Sequence, residues 1–111
     1  MADQKLLDEF DEAMHEVYRR ALSEARCQAT RFLEMLYAHR GLETARILLH
    51  APKVSDGYTA LWERGRLDLA VEAVILDNGK WHSLFTEEEL AICRNRLTEY
   101  RYPRKEKSPS D

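Results

Sequence analysis

The stretch from Asp3 to Arg40 constrains this chain most. It holds neither glycine nor proline and is rich in Leu, Ala, Glu, Arg and Met, all strong helix formers. Apolar residues fall at Leu7, Phe10, Met14, Val17 and Ala21, then resume at Ala25, Ala29, Phe32, Leu33 and Leu36. Steps of three and four keep such residues on one face of a helix. The pattern predicts a long amphipathic helix, or two helices joined with a small offset near Cys27–Gln28. Gly41 is the natural residue to end it in a left-handed turn, with His39 and Arg40 in the last turn, where the dipole favours cations.

Shorter helices follow. Leu42 to Ala51 places Leu42, Ala45, Leu48 and Leu49 on one face, and Pro52 stops it. After the "KVSDGY" loop, Ser55 or Asp56 can cap a helix over Tyr58 to Arg64 that Gly65 ends. Asp68 is expected to cap a further helix over Leu69 to Asp77, closed by Asn78-Gly79. Thr86-Glu87-Glu88-Glu89 matches a capping box, with Thr86 as N-cap and Glu89 as N3 of a last helix reaching about Tyr100. With only 4 Gly and 3 Pro, an all-β reading is disfavoured. The expected fold is all-α: a single domain over residues 1–102, one long N-terminal helix packed with about four shorter ones. Residues 103–111 are expected to form a polar, flexible tail.

The charge pattern bounds the function. The net charge of −3 argues against a dominant nucleic-acid binder. The balance reverses locally, because residues 94–107 carry six basic side chains against two acidic ones. Cys27 and Cys93 are isolated and form no C-x-x-C pair, so they are expected to stay reduced. The start, Met-Ala-Asp-Gln-Lys, lacks the apolar core of a signal peptide, and Leu69–Leu76, interrupted by Glu72, is too short to span a bilayer. A cytoplasmic location and no membrane contact are expected.

For catalysis the sequence offers little. His15, His39, His50 and His82 form no H-x-x-x-H or H-E-x-x-H pattern, and there is no phosphate loop or nucleophile elbow. No enzyme, cofactor or metal is expected. The nearest approach to paired carboxylates is Asp68 with Glu72, which gives a third-ranked enzyme reading with a histidine. Asp68 also reads as a helix cap. Glu72, set in an otherwise apolar helix, needs a cation if buried; Arg31, Arg46, Arg64 and Arg66 are the expected partners. Trp62, Arg64, Gly65, Arg66, Asp68 and Glu72 thus read as a structural corner between two helices. Trp62 is expected to pack inward with Leu61 and Tyr58, and Trp81 to seat the loop after the Asn-Gly turn.

Two surfaces remain as candidates for recognition. If the first helix protrudes, Leu7, Phe10, Met14 and Val17 form a helix–helix interface with another chain; otherwise they face the core. Arg94, Arg96, Tyr100, Arg101, Tyr102, Arg104 and Lys105 mix cations with tyrosines and are candidates for nucleic-acid or partner contact. The leading expectation is a non-enzymatic interaction or accessory protein working through helical surfaces, with a protein partner or a homo-oligomer. A nucleic-acid-associated factor is the second.

The segment "SDGYTALWERGRLDLAVEAVILDNGKWHSLFTEEELAICRNRL" resembles a group of small bacterial hypothetical proteins with the pattern S-D-G-[YF]-T-x-L-W-E-x-G-R-L-D-L-x-V-E-A followed by L-F-T-x-E-E-L. "ATRFLEML" and "GLETARILL" extend the likeness upstream, and the resemblance as a whole runs from about Phe10 to Leu97. The resemblance implies a bacterial cytoplasmic protein. It implies no catalytic role for any residue.

Overall fold

The computed structural model describes residues 3–101. Among the described residues five α-helices occur in chain order: α1 (Gln4–Ala25), α2 (Thr30–His50), α3 (Asp56–Glu63), α4 (Val71–Asp77) and α5 (Glu87–Glu99). Two 3₁₀ turns, Leu67–Leu69 and Gly79–Leu84, flank α4, and no strand occurs among the described residues. The fold is all-α. The expected tail at 103–111 lies outside the described residues.

The glycine-free N-terminal stretch forms two helices rather than one. Arg26 adopts a left-handed conformation (φ 53°, ψ 36°) and donates its N–H to the Ala21 carbonyl. The Cys27 N–H reaches the same carbonyl at 2.9 Å. This local closure turns the chain, and buried Cys27 lets it fold back on α1. The break falls where the apolar stripe shows its offset.

Helix α2 packs along α1, so the stripe is spent inside the chain. Phe10 and Met14 are fully buried, Val17 and Ala21 nearly so, and Leu7 is half-buried. They share a core with Leu36, Ala45, Leu49, Leu69 and Ile75. Thus Phe10, Met14 and Val17 face this chain's own helices and are not available as an interface for another chain. Phe10 anchors the second layer, with its ring edge-on to Trp81 at 5.2 Å and to Phe85 at 5.6 Å. Trp81 therefore seats the Gly79–Leu84 turn on α1, as expected. Truncating such a core aromatic costs about 3–5 kcal/mol.

Gly41 does not end a helix. The interruption in α2 sits one residue earlier, at Arg40 (φ 69°, ψ 176°), and Gly41 starts the second half of the helix, buried against α1. A Cβ at position 41 would stand 2.8 Å from the Asp11 Cα, so only glycine admits this approach. Close packing of two helices outweighs the usual preference for glycine at the turn itself.

Asp68 does not cap α4 either. It lies within the Leu67–Leu69 turn, and α4 begins after Ala70 without a side-chain cap. Ser55 caps α3, accepting from the Tyr58 N–H at 3.1 Å. The capping box of α5 is complete: Glu89 N–H donates to Thr86 Oγ1 at 3.1 Å, and Thr86 N–H donates to Glu89 Oε1 at 2.9 Å.

Candidate functional site

Helices α2, α4 and α5 meet around one guanidinium. Arg96 Nη1 donates to Glu72 Oε2 at 2.9 Å and to the Leu48 carbonyl at 3.1 Å, and Nη2 donates to the Ala51 carbonyl at 2.8 Å. The Leu48 carbonyl, which also accepts from the Ala51 N–H at 3.4 Å, and the carbonyl of the C-cap Ala51 lie at the end of α2, where Arg96 supplies donors and fixes that end against α5. Tyr58 Oη donates to the Arg96 carbonyl at 3.0 Å, which adds α3 to the junction. Burial pushes the Glu72 carboxyl above its ordinary range, against the pull of its backbone hydrogen bond and of Arg96. Burial also raises the neighbouring Cys93 thiol to about 12, which leaves it without nucleophilic thiolate at neutral pH.

None of the four arginines expected to pair with Glu72 does so. Arg64 is exposed and turns back to the Ala60 carbonyl of its own helix at 3.2 Å. Arg66 donates to Asp68 through Nε (2.9 Å) and Nη2 (3.0 Å), and to Glu24 of α1 through Nη2 (2.8 Å). Arg20 adds a second cation to Glu24. The hydrogen bonds from Arg20 and Arg66 hold the Glu24 carboxyl down at about 2, and that from Arg66 lowers Asp68. Arg46 lies instead near Glu89, its Nε 3.4 Å from Oε2, while His50 Nε2 approaches that oxygen at 2.8 Å. Arg31 is exposed at the start of α2. Glu72 sits in the first turn of α4 on the side packed against α5, so a residue of α5 reaches it and the α3 corner does not.

The expected corner therefore divides. Gly65 and the Arg66–Asp68 pair hold the turn, Glu72 belongs to the Arg96 junction, and Trp62 belongs to neither. Trp62 is 46% exposed, the opposite of the inward packing expected for it. Its ring stands edge-on to Tyr100 at 5.3 Å, and Tyr100 stands edge-on to buried Tyr58 at 5.0 Å. The three rings form a ladder from the core to the surface. Exposed Arg64 follows Trp62 by two residues, and exposed Arg101 follows Tyr100 directly. Neither makes an ion pair among the described residues.

The C-terminal candidates separate in the same way. Arg96 is enclosed in the junction and cannot reach a phosphate. Arg94 is exposed but lies about 120° around α5 from Tyr100, by the helical repeat. Tyr100 adjoins Trp62, and exposed Arg101 follows it in the chain. Tyr102, Arg104 and Lys105 lie outside the described residues. Sequence reading missed the exposure of Trp62, although Tyr58 and Leu61 already fill the inward positions of so short a helix.

Chemically, the enclosed junction is a structural pin, whereas the aromatic ladder ends at the surface in an exposed indole. Among the described residues no group of three or more His, Cys, Asp or Glu side chains is placed to hold a metal ion. No helix among them is long and apolar enough to cross a membrane. Comparisons with family models, with curated proteins and with solved structures find no match for this chain.

Proposed function

We propose that this chain is a non-enzymatic interaction or accessory protein of the bacterial cytoplasm, and that it binds a protein partner through the Trp62–Tyr100 surface. The observation that carries this reading is the exposed Trp62 ring, braced edge-on by Tyr100, with exposed Arg101 next to Tyr100 in the chain. Tryptophan and arginine are enriched among residues that dominate binding energy at protein interfaces. A braced indole loses little conformational entropy on binding, which favours its use as an anchor.

The test compares capture by the wild-type chain with capture by Trp62→Ala and by Arg101→Ala, from nuclease-treated host extract. A protein retained by the wild type and lost with Trp62→Ala supports the reading. Retention that is indifferent to Trp62 overturns it. In a separate assay with an added oligonucleotide, retention by the wild type that weakens steeply with salt transfers support to the nucleic-acid reading, for which Arg94, Tyr100 and Arg101 are the accessible described residues.

A further inference from the structure

Helix α2 carries a strained interruption where a relaxed one stands next in the sequence. Arg40 occupies φ 69°, ψ 176°, a region that residues other than glycine avoid. Its neighbour Gly41 could hold a positive φ at no steric cost. Among the described glycines only Gly65 has a positive φ. Three contacts with α1 maintain the costly arrangement. The Gly41 N–H donates to Asp11 Oδ1 at 2.8 Å, the face of Gly41 lies on the Asp11 backbone, and Arg40 Nη2 reaches Asp8 and Asp11 at 3.3 and 3.4 Å. A cleft of about 330 Å³, lined in part by Gln4, Leu7 and residues 39–43, opens beside the junction.

We propose that residues 40–41 form a two-register hinge in α2, latched in the register described here by Asp11. In the second register Arg40 joins the preceding helical segment, Gly41 takes the positive φ, and the Gly41 amide leaves Asp11. The shift is one residue long. It separates Gly41 from α1 and widens the cleft between the start of α1 and the second half of α2. Strain at Arg40 drives the opening, and the Asp11 latch opposes it.

Amide hydrogen exchange on the full chain tests this, in the wild type, Arg40→Gly and Arg40→Ala. In the wild type the Gly41 amide is expected to exchange on the order of tenfold faster than the core amides of Met14 and Cys93, through local opening. Arg40→Gly relieves the strain, so Gly41 exchange slows on the order of tenfold. Arg40→Ala removes the guanidinium but keeps the strain, and leaves the fast exchange in place. Exchange of Gly41 in step with Met14 and Cys93 in the wild type overturns the hinge. So does Arg40→Gly exchanging no more slowly than Arg40→Ala. Failure of Arg40→Gly to fold also overturns it, because glycine is the residue that this backbone conformation favours.

Discussion

Arg96 and Glu72 pair at 2.9 Å with only 11% and 5% of their side chains exposed. Removing one member of such a pair leaves the other charged, buried and unmatched, at a cost of roughly 3–5 kcal/mol. Arg96→Met is expected to show this loss in urea denaturation, as a lower midpoint at constant slope. Glu72→Gln keeps an acceptor for the guanidinium and is expected to cost less, roughly 1–3 kcal/mol. The pair Glu72→Leu and Arg96→Met together should recover part of the loss. Recovery stays incomplete because the Leu48 and Ala51 carbonyls lose the hydrogen bonds from the guanidinium. Arg94→Met, on the exposed side of α5, is the control. An Arg96→Met no more damaging than Arg94→Met contradicts the pinning role.

Two buried carboxylates are expected to give stability opposite slopes with pH. Burial pushes Glu89 up, but the Thr86 N–H, His50 and Arg46 outweigh it and hold it below its usual 4.5. The unfolded chain then binds more protons as pH falls, so the Glu89 contribution is present above 4.5 and lost below it. Glu24, held at about 2, and Asp68 add to the same acid-side loss. For Glu72, whose folded value is raised, the sign reverses. Its contribution is complete below 4.5 and declines as pH rises through the folded value. Urea midpoints between about pH 5 and pH 3 are expected to fall less for Glu89→Gln than for the wild type. An unchanged slope in Glu89→Gln counts against the assignment.

What the sequence reveals here follows the range of the interaction. The Thr86–Glu89 capping box spans four residues and is legible because its geometry is local. So is the break near Cys27, where the apolar stripe slips. The partner of Glu72 is 24 residues away on another helix, and nothing local distinguishes Arg96 from Arg94 as the inward one. Gly41 carries the same ambiguity, since a glycine serves either a turn or a close approach, and only the position of Asp11 decides. Asp68 has the right residue type for a cap, but Arg66 takes its carboxylate. At the candidate site, the tyrosines and arginines were visible as a cluster. The outward face of Trp62 was not, because α3 spans eight residues and its amphipathic pattern is short.

The two tryptophans are expected to report opposite environments. Trp62 is 46% exposed and Trp81 5%. In Trp81→Phe, which leaves Trp62 as the sole indole, acrylamide or iodide should quench the emission strongly, and the spectrum should lie to the red. In Trp62→Phe the remaining Trp81 should emit to the blue and resist iodide. Stability should separate them as well. Trp81→Phe loses packing against Phe10 and is expected to cost about 1–3 kcal/mol, whereas Trp62→Phe is expected to stay within about 0.5 kcal/mol of the wild type. Equal quenching of the two variants would contradict the outward placement of Trp62, and with it the proposed binding surface.

Gly65 is expected to matter more to stability than the ion pairs beside it. It holds φ +71° after α3, with its N–H on the Trp62 carbonyl at 3.0 Å and the Arg66 N–H on the Leu61 carbonyl at 2.8 Å. This pair of hydrogen bonds is the Schellman closure of a helix and needs a left-handed residue at position 65. No atom lies within 4 Å of a Cβ placed there, so any cost of Gly65→Ala comes from backbone conformation and not from crowding. That cost is roughly 1–2 kcal/mol. Asparagine tolerates the conformation better, and Gly65→Asn should recover part of the loss. Arg66→Ala removes three hydrogen bonds to Asp68 and Glu24 at the surface, where water replaces them readily. Thermal or urea unfolding should therefore rank Gly65→Ala as the most destabilising of the three. Arg66→Ala outranking it would shift the role of the corner from the turn to the charge network.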